Sequence, residues 1–102
     1  MFTIKIRKQK YTVEFAAKPL CDRAGVYGLF SPDKHRIFIH EDLRGEHYMD
    51  VLMHEIFHGF YREYHWRQKV SEEQCVTRMG EALARFYRDN PGFAKKLLLT
   101  KS

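Results

Sequence analysis

Met53-His54-Glu55-Ile56-Phe57-His58-Gly59 is the stretch whose reading decides the rest of this chain, and its pattern is HExxH. Leu52, Met53, Ile56, Phe57, Phe60 and Tyr64 recur around it at spacings of three and four, which predicts a helix from about Glu46 to Tyr64. Residues four apart share a helix face, so His54 and His58 present two imidazoles to one point, at the spacing a single metal ion accepts. Glu55 is turned roughly 100° from His54, which leaves its carboxylate beside an open metal position, able to take a proton from water. The histidines lie at the margin of the apolar stripe with Val51 and Tyr61, where a helix passes from packed interior to cleft.

Downstream, Arg67-Gln68-Lys69-Val70 interrupts the period, and Ser71 with Gln74 three residues on forms a capping-box start. The second helix then runs to about Asp89, with Cys75, Val76, Met79, Ala82, Leu83 and Phe86 as its apolar stripe. Three residues before Cys75 stands Glu72, a first-turn carboxylate in line with that stripe, and Glu73 points about 100° away. An acid there also complements the helix dipole with no further role. Beside HExxH the ligand reading takes precedence, because a catalytic zinc wants three protein ligands and one open position, and His54, His58 and Glu72 supply three. Asn90-Pro91-Gly92 stops this helix. Phe93, Leu97 and Leu98 predict a short closing helix with Lys95 and Lys96 on its basic face.

Upstream, the period is two. Phe2, Ile4 and Ile6 alternate with polar residues, as do Tyr11, Val13 and Phe15, across a polar connection at Lys8-Gln9-Lys10. Ala16 to Ala24 shows neither period and reads as a connection closed by Gly25. Val26 to Phe30 and Arg36 to His40 form a second pair across Ser31-Pro32-Asp33-Lys34, with Pro32 at the second turn position. The expectation is α+β: three or four short antiparallel strands, then the HExxH helix, a glutamate helix and a short C-terminal helix. Strand Arg36 to His40 is expected to be central, with an edge beside the metal cleft where an extended peptide adds as a further strand.

Composition narrows the class. A chain of 102 residues, 44% of them hydrophobic, is one domain with one modest core. Lys and Arg total 18 against 13 Asp and Glu, a net charge of +5, but the basic residues are dispersed, which favours a solvated surface over a nucleic-acid groove. No apolar run reaches the ~18 residues of a membrane span, and the start alternates instead of forming a secretion signal, so a cytoplasmic protein is expected. Cys21 and Cys75 lack paired zinc spacing and are read as free thiols, with Cys75 buried as a small apolar residue.

These features resemble the small zincin-like proteins found mostly in phage and prophage genomes, a distant branch of the gluzincin metallopeptidases related to ImmA/IrrE-like and SprT-like proteins and similar in size to minigluzincins. The residues that carry the resemblance are Gly28-Leu29, Ile37-Phe38-Ile39, Leu52 to His58, Glu72-Glu73 with Val76, Ala82-Leu83, and Arg88-Asp89-Asn90-Pro91. HExxH is the highly specific part. The resemblance implies that His54 and His58 bind Zn2+, that Glu55 is general base and acid, and that a glutamate of the following helix completes the site, Glu72 with Glu73 as the alternative. For a phage-encoded chain the place of action would be the host cytoplasm. Arg62 stands where some ImmA/IrrE-like proteins carry another histidine, which weakens the substrate analogy.

If the site is catalytic, zinc lowers the pKa of a water, Glu55 takes its proton, and a peptide carbonyl is attacked. Tyr61 and His65, one and two turns past His58, are candidates to steady the oxyanion, against a boundary role for Tyr61 and a surface role for His65. His35, His40 and His47 receive structural or solvent readings, and Tyr64 and Trp66 read as aromatic packing. Two function classes follow. One is a small zinc-dependent peptidase acting on a protein or peptide. The other is a catalytically silent, zinc-stabilised module binding nucleic acid or a partner protein; the intact Glu55 favours the first, since a structural zinc needs no base between its histidines.

Overall fold

A computed structural model describes residues 1–66 and 69–100, the last four as backbone alone. Strands β1 (Phe2–Ile6) and β2 (Gln9–Ala16) form a hairpin, followed by helix α1 (Lys18–Ala24) and strands β3 (Gly28–Ser31) and β4 (Arg36–His40). Helices α2 (Gly45–Glu63), α3 (Glu72–Asp89) and α4 (Phe93–Thr100) complete the chain. The fold is α+β, as the switch of period from two to 3.6 predicts.

The sheet order is β1-β2-β4-β3. Hairpins β1–β2 and β3–β4 are antiparallel, but β2 and β4 pair in parallel, Val13 opposite Ile37 and Phe15 opposite Ile39. The sheet is therefore mixed, not wholly antiparallel. Parallel neighbours need a crossover, and the segment expected to be a featureless connection supplies it as α1. Its seven residues bury only Cys21, so no amphipathic period marks it; Pro19 sits in its first turn and Gly25, at φ 71, closes it. Strand β4 is central as expected, and the edge beside the cleft belongs to β3 instead.

One face of the sheet carries Ile4, Ile6, Tyr11, Val13, Ile37 and Ile39 into the core, where Tyr48, Leu52, Ile56 and Phe60 of α2 meet them. Gly59, immediately after the second histidine, is required by this packing: a Cβ there would stand 2.5 Å from Ile6 Cδ1. At the far end of α2 the hairpin is pinned to the helix. Tyr11 Oη donates to Glu63 Oε2 at 2.5 Å, and Arg7 donates to the Glu63 carbonyl at 2.9 Å while its guanidinium lies over Tyr64. That anchorage holds Arg7 at φ 58 in a turn tighter than the pattern suggests, with β2 resuming at Gln9. In the β3–β4 hairpin the turn hydrogen bond runs from His35 N–H to the Pro32 carbonyl, one residue later than expected.

Helix α3 opens on the expected capping box, Ser71 and Gln74 each accepting the other's backbone N–H. Its stripe is realised in its second half only: Ala82 and Phe86 are buried and Met79 and Leu83 partly so, whereas Cys75 and Val76 are exposed. The burial expected of Cys75 fails because the first turns of α3 have no neighbouring layer to cover them, residues 71–77 all being exposed. Both cysteines are free thiols. At the other end Asn90 acts as a short piece of strand. Its amide accepts from Lys5 N–H and donates to the Lys5 and Phe86 carbonyls, at 2.7, 2.7 and 2.8 Å, covering the edge of β1 while closing α3. Among the described residues no helix is long and apolar enough to cross a membrane.

Candidate metal centre

Helix α2 sets the site because its two faces are chemically different. Leu52, Ile56 and Phe60 press on the sheet, which turns His54 and His58 outward, both exposed. Their rings meet at 4.9 Å between centroids, with the two Nε2 atoms 3.2 Å apart. Two ligands at a tetrahedral zinc with bonds of 2.0–2.1 Å stand about 3.3 Å apart. The two imidazoles of this chain thus hold the spacing that a shared cation needs, and the Phe30 ring, stacked on His58 at 6.3 Å, supports one of them.

Glu55 sits at the boundary between core and cleft, 7% exposed. Burial pushes its carboxyl up, and the neighbouring His54 and His58 pull it partly back. A carboxyl tuned this way accepts a proton more readily than a solvated one, as a general base should. Gly28 of β3 makes room for it: a Cβ there would lie 2.8 Å from Val51 Cγ1 and 2.9 Å from Glu55 Oε2. The strand is glycine where it passes Glu55.

The third proposed ligand stands apart from this arrangement. Glu72 and Glu73 occupy the first turn of α3, both exposed, and among the described residues no group of three or more His, Cys, Asp or Glu side chains is gathered at metal-holding distance. The structure brings together His54, His58 and Glu55; it does not bring either glutamate to them. Residues 67 and 68, which precede α3, lie outside the described residues.

Two hollows flank the imidazole pair. One, of about 300 Å³, is lined by Tyr27, Gly28, Asp50, Val51, His54 and Glu55. The other, also about 300 Å³, is lined by Phe30, Pro32, His58, Tyr61 and Arg62. Tyr61 lines the hollow beside His58, while His65 lies beyond the helix end at φ 57 and lines neither. Tyr27 and Asp50 were not singled out by the sequence reading. Asp50 was open to discovery as the residue four before His54; Tyr27 was not, since only the β3 fold brings it to the helix. Tyr27 is held by His47 and His40, at 4.9 and 6.0 Å between rings, which gives both histidines structural work. His40 is buried, its Nδ1 accepting the Asp42 N–H and its Nε2 3.5 Å from Asp22. Trp66 and Tyr64 pack on Phe60 and on each other.

No family model, curated protein or solved structure matches the chain. The functional reading accordingly rests on the site.

Proposed function

We propose that this chain is a zincin-like zinc metallopeptidase, with His54 and His58 as two of the zinc ligands, Glu55 as general base and acid, and Glu72 of α3, which stands apart from the pair in this structure, as the third ligand on zinc binding. The observation that supports it most is the pair of Nε2 atoms 3.2 Å apart beside a buried carboxyl. Bound there, zinc would supply an acidified water and a polarised carbonyl. Glu55 takes the water's proton and returns it to the leaving amine, and its partial burial keeps bulk water from competing for that proton. Tyr61, which lines the hollow beside His58, would donate to the oxyanion. The free edge of β3 offers backbone groups to an extended peptide.

The test is metal content and cleavage measured together, on protein carrying no histidine tag. About one zinc per chain should copurify, Glu55→Gln should keep the metal and lose cleavage of a mixed peptide library by 10²-fold or more, and His54→Ala should lose both. Zinc retained with no cleavage by the wild type would favour the second reading, a catalytically silent zinc-stabilised module for nucleic acid or a partner protein.

A further inference from the structure

Asp50, His54, His58 and Arg62 follow one another at a strict spacing of four along α2, and all four are exposed. They form one inclined ridge that turns about 40° around the helix at each step, with the imidazole pair in the middle, an anion at one end and a cation at the other. The two charges line different hollows beside the pair: Asp50 the one holding Tyr27, His54 and Glu55, as well as a larger one with Glu46 and His47, and Arg62 the one holding Phe30, Tyr61 and His58. Among the described residues neither side chain enters a hydrogen bond or an ion pair, although basic and acidic groups elsewhere on the surface do pair. Both hollows also have an aromatic wall, Tyr27 in one and Phe30 with Tyr61 in the other.

Strand β3 runs beside this line in the same sense as the helix. Gly28 lies against Val51 and Glu55, and Phe30 lies against His58 and Gly59. From Asp50 to Arg62 is three steps of four residues, roughly 18 Å at a helical rise of 1.5 Å. An extended chain advances about 3.3 Å per residue, so roughly five peptide residues cover the same length. Antiparallel pairing, the more stable mode, makes a peptide on the β3 edge run from the Arg62 hollow towards the Asp50 hollow.

We propose that the trough between β3 and α2 selects peptides by charge: Arg62 takes an acidic side chain upstream of the cleaved bond, and Asp50 takes a basic side chain downstream, about five residues apart. This rests on the peptidase reading, for which it names the substrate class. The aromatic walls suit the aliphatic stems of Lys and Arg on the Tyr27 side and an apolar neighbour on the Phe30 side.

The experiment is binding of short fluorescent peptides to zinc-loaded Glu55→Gln protein at low salt, with cleavage by the wild type in parallel. The peptides carry Glu and Lys five residues apart, the same pair in reversed order, or Gln at both positions. The Glu-to-Lys peptide should bind about five- to tenfold tighter than the neutral one, and the advantage should fade as salt rises. Asp50→Lys with Arg62→Glu should transfer that advantage to the reversed peptide; both positions are exposed, and an unchanged melting temperature will show that the variant folds. Equal binding of all three peptides, no binding of any, or no transfer in the double variant overturns the proposal. Charge-selective binding that transfers, with no cleavage by the wild type, sustains it and overturns the peptidase reading instead; cleavage indifferent to charge does the reverse.

Discussion

Glu55 is where the chemistry of this chain can be read from a single side chain. Its carboxyl is pushed up by burial and only partly restrained by His54 and His58, so the charged form is penalised in the folded protein. For an acid raised on folding, that penalty is present above the folded pKa and absent below the unfolded value near 4.3. In metal-free protein, Glu55→Gln should therefore raise the melting temperature at pH 7.5 relative to wild type, with the difference gone by about pH 4. A thermal melt series across that range checks it, and a variant less stable at pH 7.5 than at pH 4 relative to wild type contradicts it. Asn90 offers a second test, since its amide pairs with both backbone groups of Lys5. Asn90→Ala should cost about 1–2 kcal/mol, lowering the melting temperature by roughly 5–10 °C. His54, Glu55 and His58 were legible in the sequence because their geometry is local to one helix. Tyr27 was not, because it reaches the helix from the segment leading into β3, far from α2 in the sequence.

Helix α2 meets the sheet through two glycines, Gly59 of the helix against β1 and Gly28 of β3 against the helix, and each is a prediction at the level of elements. At Gly59 the helix approaches β1 so closely that a Cβ meets Ile6 Cδ1 at 2.5 Å; Gly59→Val should overpack this contact and destabilise by about 1–3 kcal/mol. At Gly28 an added methyl meets Val51 and the base itself. Gly28→Ala should thus displace Glu55 and reduce cleavage while zinc content stays unchanged, a combination that separates a misplaced base from a lost ligand. Unaltered cleavage in a folded Gly28→Ala protein would contradict the placement of Glu55. The period of α2 was readable because one face is packed along nearly its whole length. The stripe of α3 over-predicted burial for Cys75 and Val76, because a hydrophobic period states what a helix can bury and not how far its neighbours extend. Helix α1 escaped notice for the opposite reason, as seven residues with one buried side chain leave no period to see.

Among the described residues one core lies between one sheet face and α2, closed by Ala82 and Phe86 of α3 and by Phe93 of α4. Strand direction was the part of the architecture that residue pattern left open: alternation is the same in parallel and antiparallel strands, so the β2–β4 pairing could not be read from it. A metal held only by the folded chain adds to its stability. Zinc at a hundredfold excess over its dissociation constant should contribute about 2.7 kcal/mol and raise the melting temperature by at least 10 °C or so, an effect that His58→Ala should abolish. Two imidazoles and one carboxylate on one zinc can be read by X-ray absorption at the zinc edge on protein carrying no histidine tag. The expected spectrum has two nitrogen ligands at about 2.0 Å with oxygen completing the shell, and loses one oxygen ligand in Glu72→Ala protein. A sulfur ligand, or a spectrum unchanged when His54 and His58 are both replaced, would contradict it.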